Sequence, residues 1–547
     1  MKKYVALLSG VIAMALTACT KDEAMQIPDS PSQMVSVTAY APSQDDDTRI
    51  AYSQDNFVLN LAWEDEESFS VIRGGENQTF SKSTAGNTFT GILPGAEGEE
   101  DYYAVYPANA NVTDITAVPY DYSMQKGVFD SNKTYMYATS TDGSKFEFKL
   151  KTALLNVKFN NLPDGVKIKQ VVIMTEFNTN GTMNLTDGTY TDGTNTGITV
   201  DFDEAFDPAN WMAIYLPPIS SDKKYLKFIV IADNNLAYIG EFMSKSTDAS
   251  KNIIAGRYYS CTVDNFSEMK SLVFVANGEQ TLKMTNLTTD VVKSAVENLE
   301  YSIDAGSTWN TLGENTVNFG IGAPLLIRSK VAANGSQSYG TKVANIKFGN
   351  SNVNVVCAGD IRTLLNNTYP ESVGMDLVKF QGLFKNCTSL TSAPVLPATT
   401  LTENCYSQMF YGCTSLETAP ALPATTLAKG CYSQMFYNCK SLKTAPELSA
   451  TTLAENCYNQ MFYQCTSLET APALPATTLV NGCYGGMFSN CSKLNSIVML
   501  ATDISATNCL DNWVRNVAST GTFVKAASMT SLPSGEDGIP LGWTVIN

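Results

Sequence analysis

The sequence predicts a multidomain, mainly β chain that ends in a solenoid of 26-residue coils. Three observations carry this expectation. A length of 547 residues exceeds what one hydrophobic core organises, so three or more domains are expected. Composition is globular, with 44% hydrophobic against 16% charged residues, and the Tyr-rich 10% of aromatics favours strands. The third observation is a period. Phe384, Phe410, Phe436, Phe462 and Phe488 recur every 26 residues, and Leu390 to Leu494 keep the same step. Two cysteine columns follow it as well, Cys387 to Cys491 and Cys405 to Cys509. Columns in phase at this period mean a stack of like coils.

Bulk chemistry excludes several functions. The net charge is −17 and no basic stripe interrupts it, so nucleic acid is not an expected partner. Histidine is absent, where average usage would place roughly ten. This removes His-based triads, His general bases and His-ligated metals. Carboxylate-pair catalysis survives that cut. The modules described next lead to the expectation of a non-enzymatic protein with no cofactor and no metal.

Residues 1–19 read as a signal peptide: Lys2 and Lys3 precede an apolar run from Val5 to Leu16 that is too short to span a bilayer comfortably. The run ends Leu16-Thr17-Ala18-Cys19, which resembles the bacterial lipobox. That resemblance implies that Cys19 is acylated and becomes the mature N-terminus; the alternative is an ordinary signal peptide with a chance cysteine. Thr20-Lys21-Asp22-Glu23 resembles surface-export signals of some Gram-negative bacteria. Residues 20–35, with Pro28 and Pro31, read as a tether. The expected location is the bacterial outer membrane, lipid-anchored and surface-exposed.

From 36 to 265 short strands alternate with turn signals, as in 34–40, 153–159 and 226–231, with Asp187-Gly188 and Asp192-Gly193 as hairpin dipeptides. The landmarks run Thr48-Arg49, Trp63, Phe89-Thr90-Gly91, Tyr102 to Pro107, Lys151 to Leu154, Trp211 to Pro217 and Ala255 to Tyr259. In this order, behind a lipobox, the region resembles fimbrillin-like proteins, pilins and adhesins built from two β-sandwich lobes. The resemblance implies cleavage by an Arg-specific protease near the end of the first strand. The groove so opened would accept a strand from another pilus subunit. Arg49, in the polar stretch Asp45 to Arg49, is either that cleavage site or an ordinary loop arginine, the latter being the default.

Residues 267–370 read as a small Ig-like β-sandwich, with strands expected over 271–276 and 323–328. Within it, Ser302-x-Asp304-x-Gly306-x-Thr308-Trp309 resembles the Asp box of sialidases. A single copy in so small a module predicts a structural hairpin rather than a propeller enzyme.

The repeats span 380–510, and 511–547 are expected to cap them, with Trp513 and Trp543 as packing anchors. If strands pair in parallel, coils about 4.8 Å apart would give five coils a length of about 25 Å. The column Pro394, Pro420, Pro446 and Pro472 cannot donate to a ladder, so that face should be a very short strand leading into extended chain. The last coil departs from the pattern, Ile497 standing for Ala471 and Ser505 for Leu479. The unit resembles BspA-like bacterial leucine-rich repeats, which implies adhesion or recognition. Of 13 cysteines, ten lie in the two columns, five in each. An odd number per column, parallel side chains and the lack of C-x₂-C pairs favour buried thiols over disulfides or zinc.

The predicted function is that of a cell-surface adhesin or pilus-associated lipoprotein that recognises a host or bacterial surface protein or glycan through its repeats. One alternative is a glycan-binding or glycan-processing lipoprotein in which Tyr406, Tyr432, Tyr458 and Tyr484 stack on sugars, provided they are exposed rather than core. A structural pilus subunit is the other. Exposed variable positions such as Glu403, Lys429 and Glu455 do not identify a ligand.

Overall fold

The computed structural model describes residues 34–40, 67–82, 87–95, 100–127, 131–219, 225–243, 252–256, 258–287, 289–330, 344–368, 370, 380–529 and 532–547. The architecture is mainly β, in several sheets. Strands Met34–Tyr40 and Ala153–Phe159 have the bounds the alternation predicts, and Tyr225–Ala232 is one residue longer at each end.

In the first sheet eight strands run in the spatial order Lys149–Leu150, Met136–Ser140, Tyr102–Tyr106, Ser68–Arg73, Glu76–Lys82, Thr88–Ile92, Met34–Tyr40, Lys145–Glu147. Its two edges are consecutive pieces of chain, 145–147 and 149–150, so the sheet rolls up and nearly closes. The expected two-layer sandwich is here one curled sheet around Phe69, Phe80, Phe89, Phe146 and Phe148. Phe69 is the hub, with ring centroids 4.9–5.8 Å from the other four.

The next lobe is a sandwich of a six-stranded and a three-stranded sheet. A small third sheet, which includes Val118–Asp121 and Asn180–Met183, helps join the lobes through Tyr120, Tyr122, Met183 and Leu185. Asp187-Gly188 lies in the hairpin between Asn180–Met183 and Tyr190–Asp192, as predicted. Asp192-Gly193 does not form a second one: Asp192 ends that hairpin opposite Gly181, and Gly193 N–H donates to the Asn180 carbonyl.

Side-chain alternation explains the unbroken apolar run in Tyr225–Ala232. Phe228 and Val230 face the sandwich core, whereas Ile229 and Ile231 face the next module. Both faces are covered, so no polar alternation appears in the sequence. Leu272–Ala276 repeats the logic: Val273 and Val275 pack on Ile229 and Ile231, while Leu272, Phe274 and Ala276 point the other way. Backbone passes backbone at Gly197 and Gly322 with no room for a side chain on either. The predicted Asp-box hairpin sits at this contact. Asp304 accepts from Ser302 Oγ at 2.6 Å, Thr308 N–H at 2.9 Å and Thr308 Oγ1 at 2.6 Å, and Ala305 is buried in the shared core. Arg328 stacks on Trp309 at 3.7 Å, and Lys227 of the preceding lobe donates to Ser307 at 2.9 Å.

The module beyond 267 has two sheets and a short helix, Asp290–Glu297. Its larger sheet takes its last strand, Leu390–Ser392, from the first coil, parallel to Val355–Ala358. One apolar core therefore continues from Leu272 to Trp543. Ring neighbours run from Phe274 through Phe384, Phe410, Phe436, Phe462 and Phe488 to Trp513, with centroid steps of 5.4–6.5 Å.

The coils differ from the parallel strands assumed above. From Thr402 to Cys413 alternate N–H groups close local turns, as in Met409 to Tyr406 O and Tyr411 to Gln408 O. The N–H groups between them bond to the next coil, as in Tyr406 to Cys431 O and Phe410 to Met435 O. Every fourth residue is left-handed: Asn404, Gln408 and Gly412, then Gly430, Gln434 and Asn438, then Asn456, Gln460 and Gln464. A left-handed residue at that interval prevents an extended strand, and it explains why Asn and Gly recur in these columns. Asn438→Val should cost about 1–2 kcal/mol, because a β-branched residue resists φ of this sign, whereas Asn438→Gly should be close to neutral. Urea unfolding of the two variants checks this; equal midpoints would refute it.

Proline acts as predicted. Of the coils that carry it, the first has only the three-residue strand Leu390–Ser392 and the later ones only single bridges, such as Thr418 with Thr444. The last coil has no proline after Ile497, and Ser496–Met499 forms a strand parallel to Thr522–Lys525, itself paired with Thr544–Ile546. That coil is also one residue short after Ile497, since Leu474 pairs with Met499 and Thr478 with Asp503. Ile504, not Ser505, therefore stands at the level of Leu479 and packs on the core. Trp513 and Trp543 are buried, their indole N–H groups donating to Gly538 O at 2.9 Å and Ala518 O at 2.7 Å.

Candidate functional site

Cys19 and Arg49, and the landmarks Thr48, Trp63 and Arg257, lie outside the described residues. Tyr406, Tyr432, Tyr458 and Tyr484 are at most 2% exposed, which overturns their reading as sugar platforms. They stack in the core at 5.8–6.0 Å because their column points inward beside the phenylalanines. The cysteines are buried too. Twelve free thiols lie among the described residues, and Cys387, Cys413, Cys439, Cys465 and Cys491 each donate S–H to a backbone carbonyl at 2.9–3.2 Å. For the last four the acceptor is the phenylalanine carbonyl of the preceding coil, Phe384 O for Cys413. A thiol, and not an alkyl group, serves this column because it fills apolar space and still supplies one weak donor.

Two further columns reach the surface. Tyr411, Tyr437 and Tyr463, half-buried, stack at 4.5 Å with interplanar angles of 6° and 9°. Beside them the amides of Gln408, Gln434 and Gln460 form a ladder, each Nε2 donating to the next Oε1 at 2.6 Å. These bonds, worth about 1 kcal/mol each, offset part of holding glutamine at positive φ. Lys385 caps the near end of both ladders: its Nζ donates to Gln408 Oε1 at 2.8 Å and lies 4.7 Å from the Tyr411 ring centre.

At the far end both ladders stop on the same coil. Gly486 stands in the glutamine column and Ser489 in the tyrosine column, with Gly485 beside them. One coil further on Asp511, Asn512 and Arg515 restore the bulk. The result is a slot one coil wide that forms a groove of about 550 Å³. Gly485, Gly486 and Ser489 line its floor. Asn459, Gln460 and Tyr463 stand on one side, Asp511, Asn512 and Arg515 on the other, with Glu455 and Asn508 at the rim. Such a volume is in the range of small-ligand sites. Two surface ion pairs border it, Lys429 with Glu455 at 2.9 Å and Arg515 with Glu536 at 3.7 Å; exposed as they are, they add little stability. Among the proposed variable positions only Glu455 reaches the groove. The break at Gly485, Gly486 and Ser489 is visible in the sequence as three columns losing their side chains together, and column-by-column reading of polar positions would have found it.

Residues 53–274 match the family model described as fimbrillin-like, so the chain carries a fimbrillin-like domain in its N-terminal half. Similar solved structures include a candidate cell adhesion protein from Bacteroides uniformis, 18% identical, covering 43% of this chain and 97% of its own at a TM-score of 0.29. A tip fimbrial protein from Porphyromonas gingivalis with C-terminal truncation is 11% identical, covering 43% and 97% at 0.23. A fimbrial assembly protein from Parabacteroides distasonis is 15% identical, covering 42% and 90% at 0.22. No curated protein matches the chain. Among the described residues no helix is long and apolar enough to cross a membrane.

Proposed function

We propose that the protein is a non-enzymatic cell-surface adhesin or pilus-associated lipoprotein, anchored to the outer membrane through Cys19, whose leucine-rich-type repeats recognise a surface protein or glycan. The observation that carries this is the union on one chain of a fimbrillin-like region and a coil stack with an open polar groove. A continuous core from Leu272 to Trp543 suits display, since it would hold the groove rigidly on its support.

The reading as a pilus subunit has one observation in its favour. Val37 and Ala39 of Met34–Tyr40 are buried in the first sheet, between Thr88–Ile92 and Lys145–Glu147. Loss of that strand after cleavage at Arg49 would leave a strand-wide slot for another subunit. Mass spectrometry of protein recovered from the bacterial surface tests both modifications. An acylated Cys19 terminus is expected for the anchored adhesin, and a terminus at Ile50 for the processed subunit. Absence of the chain from the surface fraction, with residues 1–18 retained on the protein found inside the cell, would refute the proposal.

A further inference from the structure

We propose that the interrupted rung between Tyr463 and Arg515 is a binding site for a neutral pyranose ring; this rests on the adhesin reading and specifies its ligand. Two features point into the slot. The ring of Tyr463 is stacked on one side by Tyr437 at 4.5 Å, and beyond it the fourth rung is only Ser489. The ladder thus ends on an aromatic ring that lines the groove and has no further ring stacked on it. Among the described residues Gln460 Nε2 donates to no protein acceptor, although Gln408 and Gln434 each donate to the next glutamine. A stacking surface and an amide donor therefore end on the same coil and open on the same cavity, whereas Lys385 closes the opposite end of both.

The lining decides the class of ligand. A pyranose carries C–H bonds on its faces and hydroxyls around its edge. It can lie against Tyr463 while its hydroxyls meet Asn459, Gln460, Ser489, Asn508, Asp511 and Asn512. An aromatic peptide side chain would use the tyrosine but offer no acceptor to the Gln460 amide at the end of the ladder, whereas a pyranose hydroxyl does. Acidic sugars are disfavoured. Glu455 and Asp511 face the groove, and its one cation, Arg515, is already beside Glu536. The amides can donate and accept, so they match a hydroxyl whichever way it points.

Ser489→Tyr tests this directly. It supplies the missing rung in the column where three tyrosines already stack, so it should fold with at least the parent's thermal midpoint while filling the slot. The full mature chain is titrated with methyl β-D-galactopyranoside, methyl β-D-glucopyranoside and methyl α-D-mannopyranoside by saturation-transfer NMR. In parallel, bacteria displaying parent or variant are scored for attachment to host cells. The expected result is binding of at least one glycoside by the parent, loss of at least tenfold in Ser489→Tyr and in Tyr463→Ala, and reduced attachment. If no glycoside binds but Ser489→Tyr still abolishes attachment, the groove serves another ligand: the pyranose assignment falls and the adhesin reading stands. If glycoside binding is the same in Ser489→Tyr, the site assignment is wrong. If neither glycosides nor attachment respond, both fall.

Discussion

Raising the pH from 8 to 10 should destabilise the coil stack by about 4 kcal/mol through two thiols alone. Burial pushes Cys431 and Cys491 up to about 12. In the unfolded chain the same thiols ionise near pH 8.5, at about 1.4 kcal/mol for each further pH unit. Above that point the unfolded state has shed protons that the native state retains, so the equilibrium moves towards unfolding. The stabilisation is complete below about 8.5 and disappears as the pH rises towards the native value. Cys387, Cys413, Cys439, Cys457 and Cys465 are raised in the same direction, again by burial, and add to the loss. Urea midpoints at pH 8 and pH 10, followed by circular dichroism, measure it. A midpoint that does not move would mean that the sulfurs carry no titratable proton, as in a disulfide or a metal thiolate. Thiol titration of denatured protein without reductant should then find few reactive groups instead of all twelve of the described cysteines.

Phe436→Ala should cost about 3–5 kcal/mol, the range for emptying an aromatic site in a core that cannot collapse. Phe436 is fully buried between Phe410 and Phe462, at 5.7 and 5.6 Å. Relaxation is limited because its own N–H and that of Phe410 tie the coil to its neighbours on both sides, bonding to Met461 O and Met435 O. Each coil touches only its neighbours, so the damage should also be directional. Hydrogen exchange should accelerate in the coils around 436 and beyond, while Phe69 and its rolled sheet keep their protection. Uniform acceleration across the whole chain would contradict a stack built of nearest-neighbour contacts.

Much of the coil stack was legible because its signal repeats. Phe, Leu and Cys columns point inward, and the proline column correctly forbade a ladder, which is why the coil without proline forms the strand Ser496–Met499. The turn geometry was less accessible. Left-handed backbone is tolerated by Asn and Gly alike, so Asn404, Gly430, Asn456 and Gly482 do not look like one column until their common φ is known. The misassigned Ser505 has a simpler cause: a fixed period cannot register a one-residue deletion, and the backbone bridges do. Tyr406 and Tyr411 show the same limit. Both recur every 26 residues for three coils or more, yet one is core and the other surface, and recurrence alone cannot say which way a column faces.

By itself the sequence determined the mainly β class, the fimbrillin-like region, the 26-residue period and the inward Phe, Leu and Cys columns. All of these are local or periodic and can be read along one dimension. Only the tertiary structure decided that the module after 267 shares its core with the coils, that Ile229 and Val273 lie in one interface, and that the tyrosine and glutamine ladders end together at a groove. Those features depend on which face of a strand or coil turns towards which neighbour, a choice made by packing between residues far apart in the chain.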